Sequence, residues 1–263
     1  MNRHHPLLLT FLLCTVGGAH AESAAPSSSS RGLEDFAGLA LRYEPVFDGS
    51  SETDLRLQPL LNFNRTHLFA RTTRGLLEAG ALSSDVRPLR LGAMAALDAG
   101  RRFGDDPALR GLEDEDATLA IGPIAEASYS LGPVPLTWTL RWRQSLDSDR
   151  GAQADLRLTA GAYASTRARA AVFAQWTWAD AEAMRFDFGI DASRAAATGL
   201  PGYAPDRGTR HTGLGAIAAY ALSSHWRLVG IAEVRRLGAA ARSSPLVADD
   251  TLVTAAIGAV RRF

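Results

Sequence analysis

The sequence predicts an all-β protein, a transmembrane antiparallel β-barrel of about twelve strands that follows a cleaved signal peptide. Three observations lead to this prediction. The chain begins with an export signal, and it then repeats segments of about 9 to 12 residues in which apolar and polar residues alternate. It ends on an aromatic residue, Phe263. Ten strands is the alternative count, because the pair expected within 66–82 has the weakest pattern.

The first 21 residues have the features of a secretory signal peptide. Arg3 supplies a positive charge, and an apolar run of about ten residues follows over 7–16. Ala19 and Ala21 form a small-residue cleavage site. An uncleaved anchor is the alternative, but the run is shorter than the ~20 apolar residues that a membrane-spanning helix needs. We therefore expect cleavage after Ala21.

The rest of the chain divides into a short lead-in and one β-domain. Residues 22–35 include the serine run Ser27–Ser30, and we expect a flexible lead-in without regular structure. Residues 36–263 are enough for a single barrel.

Composition excludes several kinds of chemistry. The only cysteine, Cys14, lies in the predicted signal peptide, so the mature chain should have no disulfide, thiol nucleophile or thiolate metal site. All 28 basic residues are arginine, which excludes a Schiff-base lysine and a P-loop lysine. The formal net charge is zero, so nothing indicates a nucleic-acid partner. No motif indicates a cofactor or a bound metal.

Alternation with a period of two is the evidence for strands, and 134–143 is the clearest case. One face would carry Val134, Leu136, Trp138, Leu140 and Trp142, and the other Pro135, Thr137, Thr139, Arg141 and Arg143. A strand separates these two sets completely, whereas a helix would scatter them over all its faces. The expected strands are 36–44, 54–63, 66–74, 75–82, 88–99, 117–131, 133–144, 152–163, 167–179, 209–222, 225–236 and 251–263.

A soluble β-sandwich is the alternative fold, but its strands centre on about five or six residues, whereas membrane strands need about 9 to 11. Short links at 131–133 and 223–224 should be periplasmic turns, and the longer segments 100–116, 180–208 and 237–250 should be extracellular loops. Within the longest loop, 191–199 should form a short helix. Its N-cap would be Asp191 or Ser193, and Gly199 would end it.

The C-terminal strand resembles the signal that the outer-membrane barrel-assembly machinery reads, because it ends on Phe263. Arg261 shares the face of Phe263, where a hydrophobic residue is usual, and a snorkelling arginine at the membrane edge would be tolerated there.

Four segments of the sequence are similar to the MipA/OmpV family of outer-membrane proteins. They are LALRYEPVFDGSSETDLRLQP (39–59), RFGDDPALRGLEDEDAT (102–118), FGIDASRAAATGLPGY (188–203) and the C-terminal stretch 223–263. The chain departs from the family at Phe47, where tyrosine is common, and at its last four residues. The resemblance implies a barrel surrounded by lipid in the bacterial outer membrane. It also implies a non-enzymatic scaffold that links a membrane-bound lytic transglycosylase to a penicillin-binding protein in murein synthesis.

The residues themselves leave the use of the lumen open. Arginines and acids alternate into the predicted interior, and the candidate lumen ion-pair residues are Arg141, Arg143, Asp155, Arg157, Arg227 and Glu233. Pairing among them would plug the barrel, whereas an excess of unpaired arginine would make a narrow channel for small polar or anionic solutes. A barrel hydrolase is a third class. No catalytic motif surrounds the mature histidines, which are His67, His211 and His225.

Overall fold

The computed structural model describes residues 35–83, 88–98, 100 and 116–263. These residues belong to one compact unit, Gly32–Phe263. The predicted cleavage residues Ala19 and Ala21, and all of the lead-in except residue 35, lie outside the described residues.

Within the described part of the chain, twelve antiparallel strands pair with their neighbours around a closed barrel. They are β1 Phe36–Pro45, β2 Thr53–Arg65, β3 Leu68–Thr73, β4 Leu76–Leu82, β5 Leu89–Asp98, β6 Thr118–Leu131, β7 Val134–Ser145, β8 Ala152–Ala164, β9 Ala168–Ala179, β10 Gly208–Ala221, β11 Trp226–Leu237 and β12 Thr251–Arg262. The predicted fold and the count of twelve are confirmed. The segments 66–74 and 75–82, in which the alternation was weakest, form β3 and β4.

The barrel closes between the first and last strands. Phe36 of β1 lies opposite Arg262 of β12, and Tyr43 lies opposite Ala255. The backbone N–H of Phe263 donates to the carbonyl of Asp35 at 3.2 Å, so both ends of the barrel sequence lie at the same rim.

The two rims differ in the length of their connections. The rim that holds the barrel's two ends, here called the turn end, carries the short connections 66–67, 132–133, 165–167 and 222–225. The opposite rim, the loop end, carries 46–52, 74–75, 146–151, 180–207 and 238–250. The predicted loops 180–208 and 237–250 and the predicted turns 131–133 and 223–224 lie at opposite rims. The two-residue turn 74–75 also lies at the loop end, and the predicted loop 100–116 lies, except for residues 100 and 116, outside the described residues.

Side chains alternate between lipid and lumen as the sequence pattern predicts. In β7, Leu140 and Trp142 point outward and are 43% and 40% exposed, whereas Thr139 and Arg141 point inward and are buried. Trp142 also stacks on Trp178 of β9, with ring centroids 5.9 Å apart. The outer surface is therefore apolar, as lipid contact requires, and polar side chains fill the interior.

Among the described residues, the loop end contains three α-helices, of which one was predicted. They are α1 Ala181–Phe188, α2 Ala192–Thr198 and α3 Ala239–Arg242. For α2, Asp191 is the N-cap and accepts the N–H of Arg194 at 2.8 Å, and Gly199 ends the helix with a φ of 72°. The donated hydrogen bonds from Arg194 and Ser193 hold the pKa of Asp191 below its ordinary value. No helix among the described residues is long and apolar enough to cross a bilayer.

Helix α1 packs inside the rim rather than above it. Met184 and Phe188 are fully buried and contact Leu237 and Leu252 on the inner wall. The hydroxyl of Ser244 donates to the carbonyl of Phe188 at 2.7 Å, which ties the 238–250 loop to α1. The packed loops thus cover the β9–β12 side of the mouth.

The division of the rims generates a topology prediction. An epitope inserted between the exposed residues Pro201 and Gly202 should be stained on intact cells, because long loops face outward in bacterial barrels. The matched insertion between Gly132 and Pro133, at the turn end, should be stained only after permeabilisation. The opposite pattern would show that the barrel is inserted the other way round.

A second prediction concerns Phe263, which is 72% exposed and stacks on Phe63 with centroids 6.1 Å apart. Deleting Phe263 should lower the amount of assembled barrel several-fold, because the last strand loses its terminal aromatic. The measurement is the fraction of protein in the outer membrane that migrates as a compact band before boiling. Normal assembly of the truncated chain would contradict the assignment of Phe263 as an assembly signal.

Candidate functional site: a charged network across the lumen

Charged side chains meet inside the barrel. On one side of the lumen, Glu78 of β4 binds two arginines, with Arg71 Nε at 3.2 Å and Arg141 Nε at 3.4 Å. Arg71 also binds Glu126 of β6 at 2.7 Å. These four residues join β3, β4, β6 and β7 through side chains that are mostly withdrawn from solvent.

Asp155 of β8 is the centre of the opposite side and is only 3% exposed. Its carboxylate accepts hydrogen bonds from Arg143 Nη2 at 2.6 Å and from the Thr177 hydroxyl at 2.7 Å. Arg74 Nη1 lies 3.8 Å from the same carboxylate. A buried carboxylate of this kind is stable only because charged and hydrogen-bonding partners replace its water.

Arg74 connects the two sides of the network. It lies in the two-residue turn between β3 and β4, with a φ of 52°, and Gly75 follows with a φ of 92°. From there its guanidinium contacts His211 Nε2 on β10 at 3.0 Å and approaches Glu233 on β11 to 3.9 Å. The side chain therefore crosses the lumen from the shortest hairpin to the opposite wall.

A third group of charges fastens the loops to the wall. Asp48, in the 46–52 loop, accepts hydrogen bonds from Arg210 and from Arg235, each at 3.0 Å. Arg210 also binds Asp187 of α1 at 2.7 Å. These contacts hold the 46–52 loop and α1 inside the mouth.

The charges of this network cancel. Among the described residues that these contacts join, six arginines face six carboxylates. The arginines are Arg71, Arg74, Arg141, Arg143, Arg210 and Arg235. The acids are Asp48, Glu78, Glu126, Asp155, Asp187 and Glu233. The network itself therefore carries no excess of positive charge with which to select anions.

The sequence-predicted lumen residues do not all lie in the network. Arg141, Arg143, Asp155 and Glu233 belong to it. Arg157 lies beside it and places its guanidinium 3.6 Å from the ring centroid of Phe173, with no carboxylate of the described chain within salt-bridge distance.

Arg227 lies apart, six residues nearer the turn end than Glu233 on the inner face of β11. Sequence reasoning missed Arg74, Glu78, Glu126 and Asp48. For Glu78 a signal existed, since it stands opposite Arg71 in the β3–β4 pair. For Arg74 and Asp48 none did, because both side chains project from connections rather than from strands.

A polar cavity of about 360 Å³ lies between the network and the loop end. We call it the vestibule. Its floor is formed by Asp155, Gln175 and His211, and Phe186 and Asp187 of α1 line its mouth. The vestibule is large enough for a small polar molecule but ends at the network.

The three histidines of the described residues lie in separate places. His211 is buried beside Thr177 and Arg74, His67 contacts the carbonyl of Leu82 at 3.3 Å, and His225 contacts Ser224 at 2.9 Å. Among the described residues no group of three histidines, cysteines or acids is arranged to hold a metal ion. The arrangement therefore offers ion pairing and occlusion rather than an identifiable catalytic constellation.

The closed twelve-stranded wall, its apolar outer face and its polar interior define an outer-membrane β-barrel protein. The chain belongs to the MipA family. The family model described as "MltA-interacting protein MipA" matches residues 37–263. The resemblance that the sequence motifs indicated is thereby confirmed.

A solved structure supports the fold. An outer membrane channel from Pseudomonas putida F1 is similar with a TM-score of 0.51 and 13% identity, over 92% of this chain and 100% of that one. OmpT from Vibrio cholerae, in its trimer form, has a TM-score of 0.40 and 8% identity, over 88% and 99% of the two chains. At these identities the likeness to the channel shows the fold alone. No curated protein sequence matches the chain.

The network generates a stability prediction. Asp155→Asn should lower the free energy of unfolding by about 3 kcal/mol, because it leaves Arg143 and Arg74 in the lumen without their shared carboxylate. Urea unfolding of the barrel in detergent micelles measures this change. The matched control is Arg236→Gln, which removes a solvent-exposed pair with Asp250 and should cost ~1 kcal/mol or less. Equal effects of the two substitutions would contradict a stabilising role for the network.

Proposed function

We propose that this barrel is a non-enzymatic anchor in the outer membrane that binds enzymes of murein remodelling and does not conduct solutes. The observation that carries the proposal is the ion-pair network across the lumen, with Arg74 at its centre. The partner class comes from the name of the family model, which refers to an MltA-interacting protein. A lytic transglycosylase is accordingly the first partner, and a penicillin-binding protein is the second.

The energetics of the lumen favour a closed barrel. Opening a path would separate buried charges such as Asp155 and Arg143, and removing one partner of a buried pair costs about 3–5 kcal/mol. The packing of α1 against the inner wall adds a second barrier, because Phe188 is fully buried there. Both barriers would have to yield together for a solute to pass.

A partner of the murein layer would reach the barrel from the periplasm, which is the turn end in the expected topology. The connections there are short, and they offer little surface beside the ~800 Å² per partner of a standard interface. Asp35, which follows the lead-in in the chain, lies next to Phe263 at the same rim. Residues 23–32 are therefore the proposed supplement to this small contact surface.

A narrow channel for small polar or anionic solutes is the second candidate function. The vestibule favours it, because a polar cavity open toward the loop end is what such a solute would enter. The balanced charges of the network argue against selection of anions.

Conductance separates the two candidates. The wild-type barrel should give no steady current in planar bilayers, whereas Arg74→Gly should give frequent openings. Glycine adopts the positive φ of this turn without strain and removes only the guanidinium that crosses the lumen. Arg236→Gln is the control and should behave as the wild type. Large, steady, anion-selective currents from the wild type would contradict the anchor function and support the channel function.

Co-purification tests the partner. Crosslinking in intact cells should recover a lytic transglycosylase with the full-length chain, and deletion of residues 23–32 should lower that recovery several-fold. The deleted chain should still form a heat-modifiable barrel, which serves as the assembly control. Unchanged recovery would move the contact to the turns of the barrel. Absence of any murein enzyme with the full-length chain would refute the anchor function.

A further inference from the structure

The barrel wall is much lower at one hairpin than elsewhere. Strands β3 and β4 have 6 and 7 residues, whereas β2 has 13 and β6 has 14. A transmembrane strand needs about 9 to 11 residues to cross the apolar layer. The β3–β4 hairpin is therefore too short to form the full height of the wall.

Above this hairpin, one edge of β2 has no described strand beside it. β3 pairs with β2 only over Asn62–Arg65. From Thr53 to Leu61, no described strand pairs with β2 on that side, although β1 pairs with it on the other. A gap thus separates the loop-end half of β2 from the tip of the hairpin.

The free edge is protected by its own side chains. The N–H of Leu55 donates to the Asp54 carboxylate at 2.7 Å, and Pro59 has no N–H to satisfy. The Thr72 hydroxyl donates to the carbonyl of Pro59 at 3.0 Å and accepts the N–H of Leu61 at 3.1 Å. Proline and side-chain caps are the means by which proteins protect edges that stay unpaired. The local sequence therefore fits a permanent opening better than a site for an added strand.

The gap lies within the lipid-facing band. Leu55 and Leu57 point outward beyond the hairpin tip and are 62% and 67% exposed. Acyl chains would consequently contact the β2 side of the opening.

The vestibule extends to this gap. Its lining includes Gln58 and Gly75, at the two sides of the gap, and also Leu57 and Pro59, which point away from the lumen. The cavity therefore reaches the wall beside the gap. On the lumen side Arg42 lies between Gln58 and Gly75, since its Nη1 donates to Gln58 Oε1 at 3.4 Å and would lie 3.7 Å from a Cβ on Gly75.

The charges next to the gap come in pairs of opposite sign. Arg42 binds Glu44 at 2.7 Å, and Arg56 binds Asp54 at 2.9 Å. A headgroup with one positive and one negative charge can pair with both members of such an ion pair, so that no charge is left without a partner. An anion alone would pair with the arginine and leave the acid without a partner.

We propose that the gap is a lateral entrance through which a zwitterionic headgroup of a membrane amphiphile enters the vestibule, while its acyl chain stays against Leu55 and Leu57. The cavity of about 360 Å³ holds a headgroup, and arginines and acids in its lining can pair with the charges of that headgroup. The network below it still blocks passage into the periplasm. The site therefore does not depend on the murein partner. Either the lateral entrance or the anchor function can be refuted without affecting the other.

Fluorescence quenching tests the entrance. Gln58→Cys places a bimane label in the vestibule beside the gap, and Gln153→Cys places one in the same vestibule against the fully paired wall of β7 and β8. In phosphatidylcholine vesicles with nitroxide-labelled acyl chains, the label at 58 should be quenched at least three-fold more than the label at 153. Both are read on the heat-modifiable, folded fraction. Equal quenching at the two positions would refute the opening.

Competition tests the headgroup. In maltoside micelles, nitroxide-labelled lysophosphatidylcholine should quench the label at 58 saturably. Unlabelled decylphosphocholine should relieve this quenching at concentrations at least ten-fold below those needed for decyl sulfate. Equal relief by the two detergents would refute selection of a zwitterionic headgroup, and a linear, unsaturable response would refute a binding site. Neither outcome bears on recovery of a transglycosylase or on conductance.

Discussion

A bilayer provides no hydrogen bonds, and this single constraint determines most of the structure. Every backbone N–H and C=O of a membrane strand must be satisfied by a neighbour, so the sheet has to close, as it does between β1 and β12. Closure turns half of all strand side chains into a confined interior. Polar residues placed there must satisfy one another, and the pairing of Asp155 with Arg143 and Thr177 is the result. Beside the gap, Asp54 and Thr72 supply side-chain partners for Leu55, Pro59 and Leu61 of β2.

The strands could be predicted from the sequence because alternation is a local property. In β7 each residue is assigned to lipid or lumen by its own polarity, and Arg141 and Trp142 lie where the pattern places them. The signals that begin and end α2, an N-cap residue and a glycine, are equally local in the sequence. Helix α1 was not predictable in this way, because it depends on packing against Leu237 and Leu252 in distant strands.

The lumen site was predictable only in part, for the same physical reason. Alternation indicates which arginines face inward but not which carboxylate each one meets, because that depends on the stagger of strands around the whole barrel. Arg74 and His211 are far apart in sequence and meet only once the barrel has closed. Small residues also make room for the large ones. A Cβ on Gly215 would lie 2.3 Å from the ring of Phe173, so glycine there is a condition for the Phe173–Arg157 contact.

The closing seam has a kinetic consequence. It pairs Phe36 with Arg262, so the strand made first must wait for the strand made last. Until the whole chain has been exported, β1 presents an unpaired edge in an aqueous compartment, where such edges promote aggregation. Contacts of this sequence separation are also slow to form. A chaperone could shield the unpaired edge of β1 during this time. A machinery that positions the last strand for pairing would shorten the time during which β1 is prone to aggregate.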